Sequence, residues 1–247
     1  MPDGLILAAG AGSRFGAVPK QLAFFRGQPL IQWAVDAQCA VEELDRVVLV
    51  LGAYADMVSS VLAPSRVEIV MCDAWAEGQA ASLRTGLAAL ADSKRIVITL
   101  ADQPLVSAAA IQRVIAARST PARASYGDQP GHPVLLGPRQ IAAARELSGD
   151  QGARGLLADA KLIPCDELGS GADVDTPEDL LRLTGDQPAS PAPDTPGEQP
   201  FVMTGFRELS TEDGVPLQSA AQAINEPREY PPVVPPPVLK LRPEQGE

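Results

Sequence analysis

The chain holds one histidine, His132, and three cysteines, Cys39, Cys72 and Cys165, in 247 residues. A single histidine with no recognisable nucleophile beside it supplies no Ser-His or Cys-His catalytic arrangement. Three widely spaced cysteines supply neither a disulfide framework nor a zinc site, and such usage suits a reducing cytoplasm. Basic residues are also scarce: 20 Lys and Arg against 31 Asp and Glu give a net charge of −11. That balance argues against a nucleic-acid-binding surface, while leaving room for a local basic pocket around a phosphate ligand. No apolar run reaches the ~18 residues of a membrane-spanning helix, so no membrane partner is expected. The opening MPDGLILAAGAGSR has no basic segment ahead of its short apolar run, so no secretory signal is expected either.

The chain does have enough apolar material, 45% of its residues, for a substantial core. Proline divides it unevenly: thirteen of the 24 prolines fall in residues 185–247. The stretch Gly185–Pro200 lacks hydrophobic periodicity and reads as a linker. Tyr230–Val238 (YPPVVPPPV) reads as extended polyproline-like chain, with at most one short docked element over Leu217–Ile224. We expect a folded domain over residues 1–184 and a Pro-rich, acidic, largely disordered C-terminal tail over 185–247.

Within the folded domain, short and long segments alternate. Leu5–Ala9, Arg46–Leu51, Val67–Met71 and Arg95–Leu100 are short aliphatic runs ended by turn residues. Pro29–Val41, Ala53–Leu62, Gln79–Leu90 and Ala108–Arg118 are longer amphipathic stretches between and after them. Such alternation predicts an α/β fold with a mostly parallel sheet and helices on both faces. Ligands in such sheets sit beyond the carboxyl ends of the strands.

The first strand runs directly into LILAAGAGSRFG (Leu5–Gly16), where glycines let backbone N–H groups converge on an anion. Arg14 and Lys20 follow closely. No G-x-x-x-x-G-K-[ST] string exists, which excludes a Walker A loop. Gly10, Gly12 and Gly16 give G-x-G-x-x-x-G, one residue longer than the dinucleotide fingerprint, and Asp36 falls inside an expected helix and not at a strand end. The string L-A-A-G-x-G-x-R-x-G followed by Lys resembles the signature of the MobA/MocA-type nucleotidyltransferases, closest to the molybdenum cofactor (CTP:molybdopterin) cytidylyltransferases. The resemblance extends over Leu5–Leu183. It implies a Rossmann-like three-layer domain in which Leu7, Ala8, Ala9, Gly10, Gly12, Ser13, Arg14, Gly16 and Lys20 hold the nucleotide.

Two acidic segments follow. Asp102, in ADQP, stands just past an apolar run, where a carboxylate suits magnesium beside phosphates; it also suits a simple turn before a helix. Thr176 and Pro177 read as cap and first residue of a helix carrying Glu178 and Asp179 in its first turn. Ahead of them lie Asp173 and Asp175. The family resemblance makes Asp102 and Asp175 the Mg2+ ligands, with Asp173 a secondary helper, and gives Arg14, Lys20 and Asp102 catalytic roles. It also places Gly78, Gln79 and Ser82 at the base and ribose. Ala9, where guanylyl-using relatives tend to have Gly, favours CTP over GTP.

On the acceptor side the resemblance points to GHPV and GDQGAR, and so to His132, Gly152 and Arg154. His132 reads as a fixed loop position that is either structural or a substrate contact. The second segment reads as an anion-binding turn or as plain helix capping, with Asp150 the cap. Trp33, Trp75, Phe24 and Phe25 read as core or loop anchors. The implied reaction is cytidylyl transfer from CTP to molybdenum-molybdopterin with release of pyrophosphate, in a cytoplasmic enzyme that hands its product to a molybdenum hydroxylase apoenzyme. Three alternatives stand beside it: a GTP-using or methylerythritol-phosphate cytidylyltransferase relative, an NAD(P)H-dependent reductase of the nicotine-blue oxidoreductase type on the same scaffold, and a non-catalytic carrier of finished cofactor with the tail as adaptor.

Overall fold

The computed structural model describes residues 1–16, 18–150 and 152–185. The expected linker and polyproline tail, beyond Gly185, lie outside the described residues. The chain begins with strand β1 (Asp3–Ala8) and a small hairpin, β2 (Phe24–Phe25) and β3 (Gln28–Pro29). It continues with α1 (Leu30–Cys39), β4 (Val47–Leu51), α2 (Ala55–Ser60), β5 (Val67–Met71), α3 (Gln79–Ala89) and β6 (Ile96–Leu100). Then come α4 (Ala108–Ile115), β7 (Ala122–Tyr126), β8 (Gln129–Leu136), α5 (Pro138–Ala144), β9 (Lys161–Pro164) and α6 (Pro177–Gly185).

Seven strands form one sheet in the order β5-β4-β1-β6-β8-β7-β9. Only β8 runs against its neighbours, β6 and β7. Successive side chains of a strand face opposite sides, and the central strands use both. Val47, Leu49 and Leu51 of β4 belong to a core on one face that also takes in α1, α2 and α4; Val48 and Val50 belong to a core on the other face with α3 and α5. The result is helix, sheet, helix: three layers, as read from the alternation. Each fully buried aliphatic side chain contributes about 1.5–3 kcal/mol. The fit of α3 is tight at Gly86, where a Cβ would stand 2.4 Å from Leu5 Cδ1.

The chain winds from β1 outward through β4 to β5, then returns to lay β6 on the other side of β1. The β1/β6 boundary is therefore the topological switch point, where the loops leave a crevice. The glycine loop leaves β1 there and Asp102 leaves β6.

Five strands were not read from the sequence: the two-residue strands β2 and β3 of the hairpin, and β7, β8 and β9 of the main sheet. Two prolines, Pro130 and Pro133, argue against a strand, but they precede the residues through which β8 pairs with β6, Val134–Leu136. His132 consequently sits on a strand, not in a loop. Phe24 is also not an anchor: it is 68% exposed, whereas Phe25 is buried and meets Trp33 edge-on.

Candidate active site

The glycine loop is held from beneath. Buried Gln21 donates from Nε2 to the carbonyls of Ala8 (3.1 Å) and Gly10 (2.6 Å). Gly12 takes a left-handed conformation, φ 59°, and opens the short turn Ser13–Phe15. Lys20 Cβ lies 3.0 Å from where a Gly12 Cβ would be, so the loop and the lysine are packed together. No acceptor among the described residues takes the N–H groups of Gly10, Ala11 or Gly12. They remain available to an anion. Ser13, Arg14 and Gly16 lie exposed on the rim.

Asp175 reaches the same place from far along the chain. Its arm is tied down by the Val174 N–H, which donates to the Asp102 carbonyl at 2.9 Å, and Val174 itself is buried. The expected cap of α6 is present. Thr176 Oγ1 accepts from the Asp179 N–H, and Asp179 Oδ2 accepts from the Thr176 hydroxyl and from the N–H groups of Asp175 and Thr176. Those bonds hold the Asp179 carboxyl below the usual carboxylate range.

The two acids and two cations read from the sequence form one cluster. Lys20 Nζ lies 2.7 Å from Asp102 Oδ2 and 3.0 Å from Asp175 Oδ1, and Arg14 lies 2.9 Å from Asp175 Oδ2. Burial opposes the charge on Lys20, but Asp102 and Asp175 outweigh it and raise the ammonium above its ordinary pKa. Asp173 is held by Gln103 Nε2 at 2.7 Å. Burial raises the Asp173 carboxyl, the Gln103 bond opposes that, and the charges of Asp102 and Asp175 add to the rise.

This donor set fits a hard cation. Two carboxylates converge on one positive charge, and Asp102 Oδ1 has no hydrogen-bond partner among the described residues. No three His, Cys, Asp or Glu side chains among the described residues would hold a metal unaided. A divalent ion here would complete its shell from water or phosphate oxygens, as magnesium does.

Asp102 stands between two adjoining recesses. One, of about 100 Å³, is lined by Gly10, Gly12, Lys20 and Gln21; the other, about 390 Å³, runs to Trp75, Gly78, Gln79, Ser82 and Asp150. The first has the amides and cation for phosphates, and the second has room for a nucleoside. Gly78 (φ 115°) abuts the loop after α5: its Cβ would lie 2.5 Å from the Gly149 carbonyl group. The Ala80 N–H donates to that carbonyl at 3.1 Å. Asp150 thus faces the cleft, and no side chain among the described residues caps the short helical turn that follows Gly152, contrary to the capping expectation. Trp75 likewise lines the cleft in addition to packing on the core.

His132 and Gly152 meet Gln79 in a narrow recess of about 30 Å³ that shares Leu7 and Leu100 with the main cleft. Burial and the nearby Arg123 guanidinium push the imidazole down to about 4. His132 is neutral near neutral pH and offers a hydrogen bond, not a positive charge, to a ligand. Arg154 is exposed and lines none of these recesses. Sequence reasoning missed Gln21, Gln103 and the cleft roles of Trp75 and Asp150. Only the GD pair at Gly149–Asp150 carried a signal, and it was read as a cap.

Residues 4–165 match the MobA-like NTP transferase domain. Over 194 residues the chain is 36% identical to nicotine blue oxidoreductase of Paenarthrobacter nicotinovorans, covering 73% of this chain and 95% of that protein. It is 34% identical over 118 residues to 2-C-methyl-D-erythritol 4-phosphate cytidylyltransferase of Chromobacterium violaceum, covering 47% of this chain and 52% of that one. The fold also superposes on the crystal structure of Rv0371c from Mycobacterium tuberculosis H37Rv in complex with manganese, with a TM-score of 0.62 and 28% identity over 75% of this chain and 98% of that one. With its glycine loop, its acid–lysine cluster and this match across most of its folded region, the chain belongs to the MobA-like nucleotidyltransferases.

Proposed function

We propose that the protein transfers the cytidylyl group of CTP to the terminal phosphate of molybdenum-molybdopterin and releases pyrophosphate. The observation that carries the reading is the meeting of Lys20, Asp102 and Asp175 beside glycine-loop amides that have no acceptor among the described residues, at the switch point of the sheet. The acceptor phosphate is ionised near neutral pH, so it needs no base. Its oxygen bonds to the α-phosphorus while the bond from that phosphorus to the bridging oxygen breaks, and the electron pair leaves on pyrophosphate. The amides of Gly10, Ala11 and Gly12, with Lys20 and Arg14, hold the triphosphate and offset charge gathering on the leaving group. Asp102 and Asp175 would hold Mg2+, which supplies further charge neutralisation at the phosphates when bound. Gly78, Gln79 and Ser82 take the base and ribose, and Ala9 favours cytosine. His132 and Gly152 take the acceptor; Arg154, on the surface, contributes by meeting the portion of it that projects outward.

The test is pyrophosphate release across the four nucleoside triphosphates, with and without molybdenum-loaded molybdopterin. Release only with CTP and that acceptor supports the reading. Release with methylerythritol phosphate in its place overturns the acceptor. A second reading is favoured by the 36% identity that spans 95% of nicotine blue oxidoreductase: an NAD(P)H-dependent reduction in the same cleft. A nicotinamide absorbance change with a dye substrate, without pyrophosphate, would establish that instead. Transfer of the product to a molybdenum hydroxylase apoenzyme in the cytoplasm completes the proposal; the carrier alternative, with the tail as adaptor, would add a second role. Deleting the tail should then spare pyrophosphate release and block maturation of that enzyme.

A further inference from the structure

The reaction above requires Lys20 to grip phosphates and requires Asp102 and Asp175 to hold a divalent ion. In the structure these three side chains are engaged with one another, at 2.7 and 3.0 Å. The Lys20 side chain is 12% exposed, so solvent screens this pairing far less than a surface ion pair. Arg14, whose side chain is 72% exposed, is the weaker counter-ion of Asp175. The backbone beneath Lys20 is anchored through its neighbour, buried Gln21, which grips the glycine loop. The lysine side chain itself is a flexible four-carbon stem that can redirect its ammonium without moving that anchor.

An ammonium and a divalent ion cannot both occupy Asp102 Oδ2 and Asp175 Oδ1, and with those two taken an ion is left only Asp102 Oδ1 and the Asp175 oxygen that Arg14 holds. We propose that Lys20 is a built-in substitute for the divalent cation, closing the two-carboxylate site until a triphosphate draws the ammonium onto its own oxygens. The ion and the nucleotide then load together: each opens the site to the other, by the same factor in both directions. This inference rests on the divalent-ion reading of the site given under Proposed function. It adds that the free protein resists the ion alone.

Mn2+ is the probe, with the free ion counted by electron paramagnetic resonance during titration of the full chain. The titration is run with and without a non-hydrolysable CTP analogue, and the Mn2+ held by the analogue alone, measured without protein, is subtracted. We expect the analogue to tighten Mn2+ binding to the wild type by about tenfold or more. Lys20→Met should bind Mn2+ without nucleotide about tenfold more tightly than the wild type does, and most of the coupling should vanish. Nucleotide-free binding by Lys20→Met that is no tighter than wild type overturns the proposal. So does wild-type binding that is equally tight with and without the analogue, a result that needs no variant to fold. If neither protein binds Mn2+ even with the analogue, the divalent site fails and this inference fails with it. Coupled binding of Mn2+ and analogue without pyrophosphate release on adding CTP and acceptor defeats the assigned reaction alone, and leaves the role of Lys20 standing.

Discussion

Gly78→Ala is the sharpest test of how the cleft is built. Gly78 has φ 115° and ψ −178°, a region open almost only to glycine, and forcing a Cβ into it costs about 1–3 kcal/mol. The new Cβ would also lie 2.5 Å from the Gly149 C and O atoms, which are backbone and cannot rotate aside. The loop must retreat, and the 3.1 Å bond from the Ala80 N–H to the Gly149 carbonyl is lost, a further ~0.5–1.5 kcal/mol. The expected total is about 1.5–4.5 kcal/mol of stability, read as a lowered urea midpoint at unchanged slope. Because the retreating loop carries Asp150 away from the cleft, the KM for nucleotide should rise more than kcat falls. Gly10→Ala is the contrast: nothing lies within 4 Å of its Cβ position and its φ is unexceptional. It should keep wild-type stability to within about 0.5 kcal/mol, yet weaken triphosphate binding. A Gly78→Ala protein as stable as wild type with unaltered nucleotide affinity would refute the reasoning.

Three further outcomes are expected. Asp102→Ala should lower turnover to about one per cent of wild type or less, with circular dichroism unchanged; near-normal metal-dependent pyrophosphate release would remove Asp102 from the site. Gln21→Ala should cost about 1–3 kcal/mol and loosen the glycine loop, seen as faster amide exchange at residues 9–12; unchanged exchange there would contradict the anchoring role. His132 is held neutral with a folded-state value of about 4, against 6.5 for the free imidazole. Above pH 6.5 both states are neutral and the group has no effect; as pH falls towards 4 the unfolded chain takes the proton and the folded one does not. Stability should therefore drop over that window by up to about 3 kcal/mol. His132→Gln should flatten the drop in urea titrations; an identical pH profile would show that His132 titrates normally.

The sheet's first half was legible because its strands are short runs dominated by aliphatic residues, broken only by Glu68 in β5 and Thr99 in β6, and each is followed by a turn and then a helix. The second half was not. β7 reads Ala-Arg-Ala-Ser-Tyr and β9 is a largely exposed edge, so neither carries a strong apolar pattern, and Pro130 and Pro133 conceal β8. The acids and cations were found because strand ends and local motifs mark them. What the sequence does not display is which distant loops touch. The approach of Gly149 to Gly78 puts Asp150 in the cleft, and that approach depends on the packing of α3 and α5 on one face of the sheet. Similarly, nothing local announces that Gln21 turns inward beneath the glycine loop or that Gln103 holds Asp173.

The arm that bears Asp175 has a consequence for dissection of the protein. The match to the transferase domain ends at residue 165, and the last strand of the sheet ends at Pro164. One of the two acids on Lys20 lies past both, fastened by the Val174–Asp102 bond and the α6 cap. Strands and chemistry thus part company along the chain: a version stopped after Cys165 would contain every strand of the sheet yet lose half of its ion-binding pair, together with the core contacts of Leu168 and Val174. Grafting the short arm from one relative onto the body of another would exchange that half, provided the seat of Val174 beside Phe25 and Leu30 is matched.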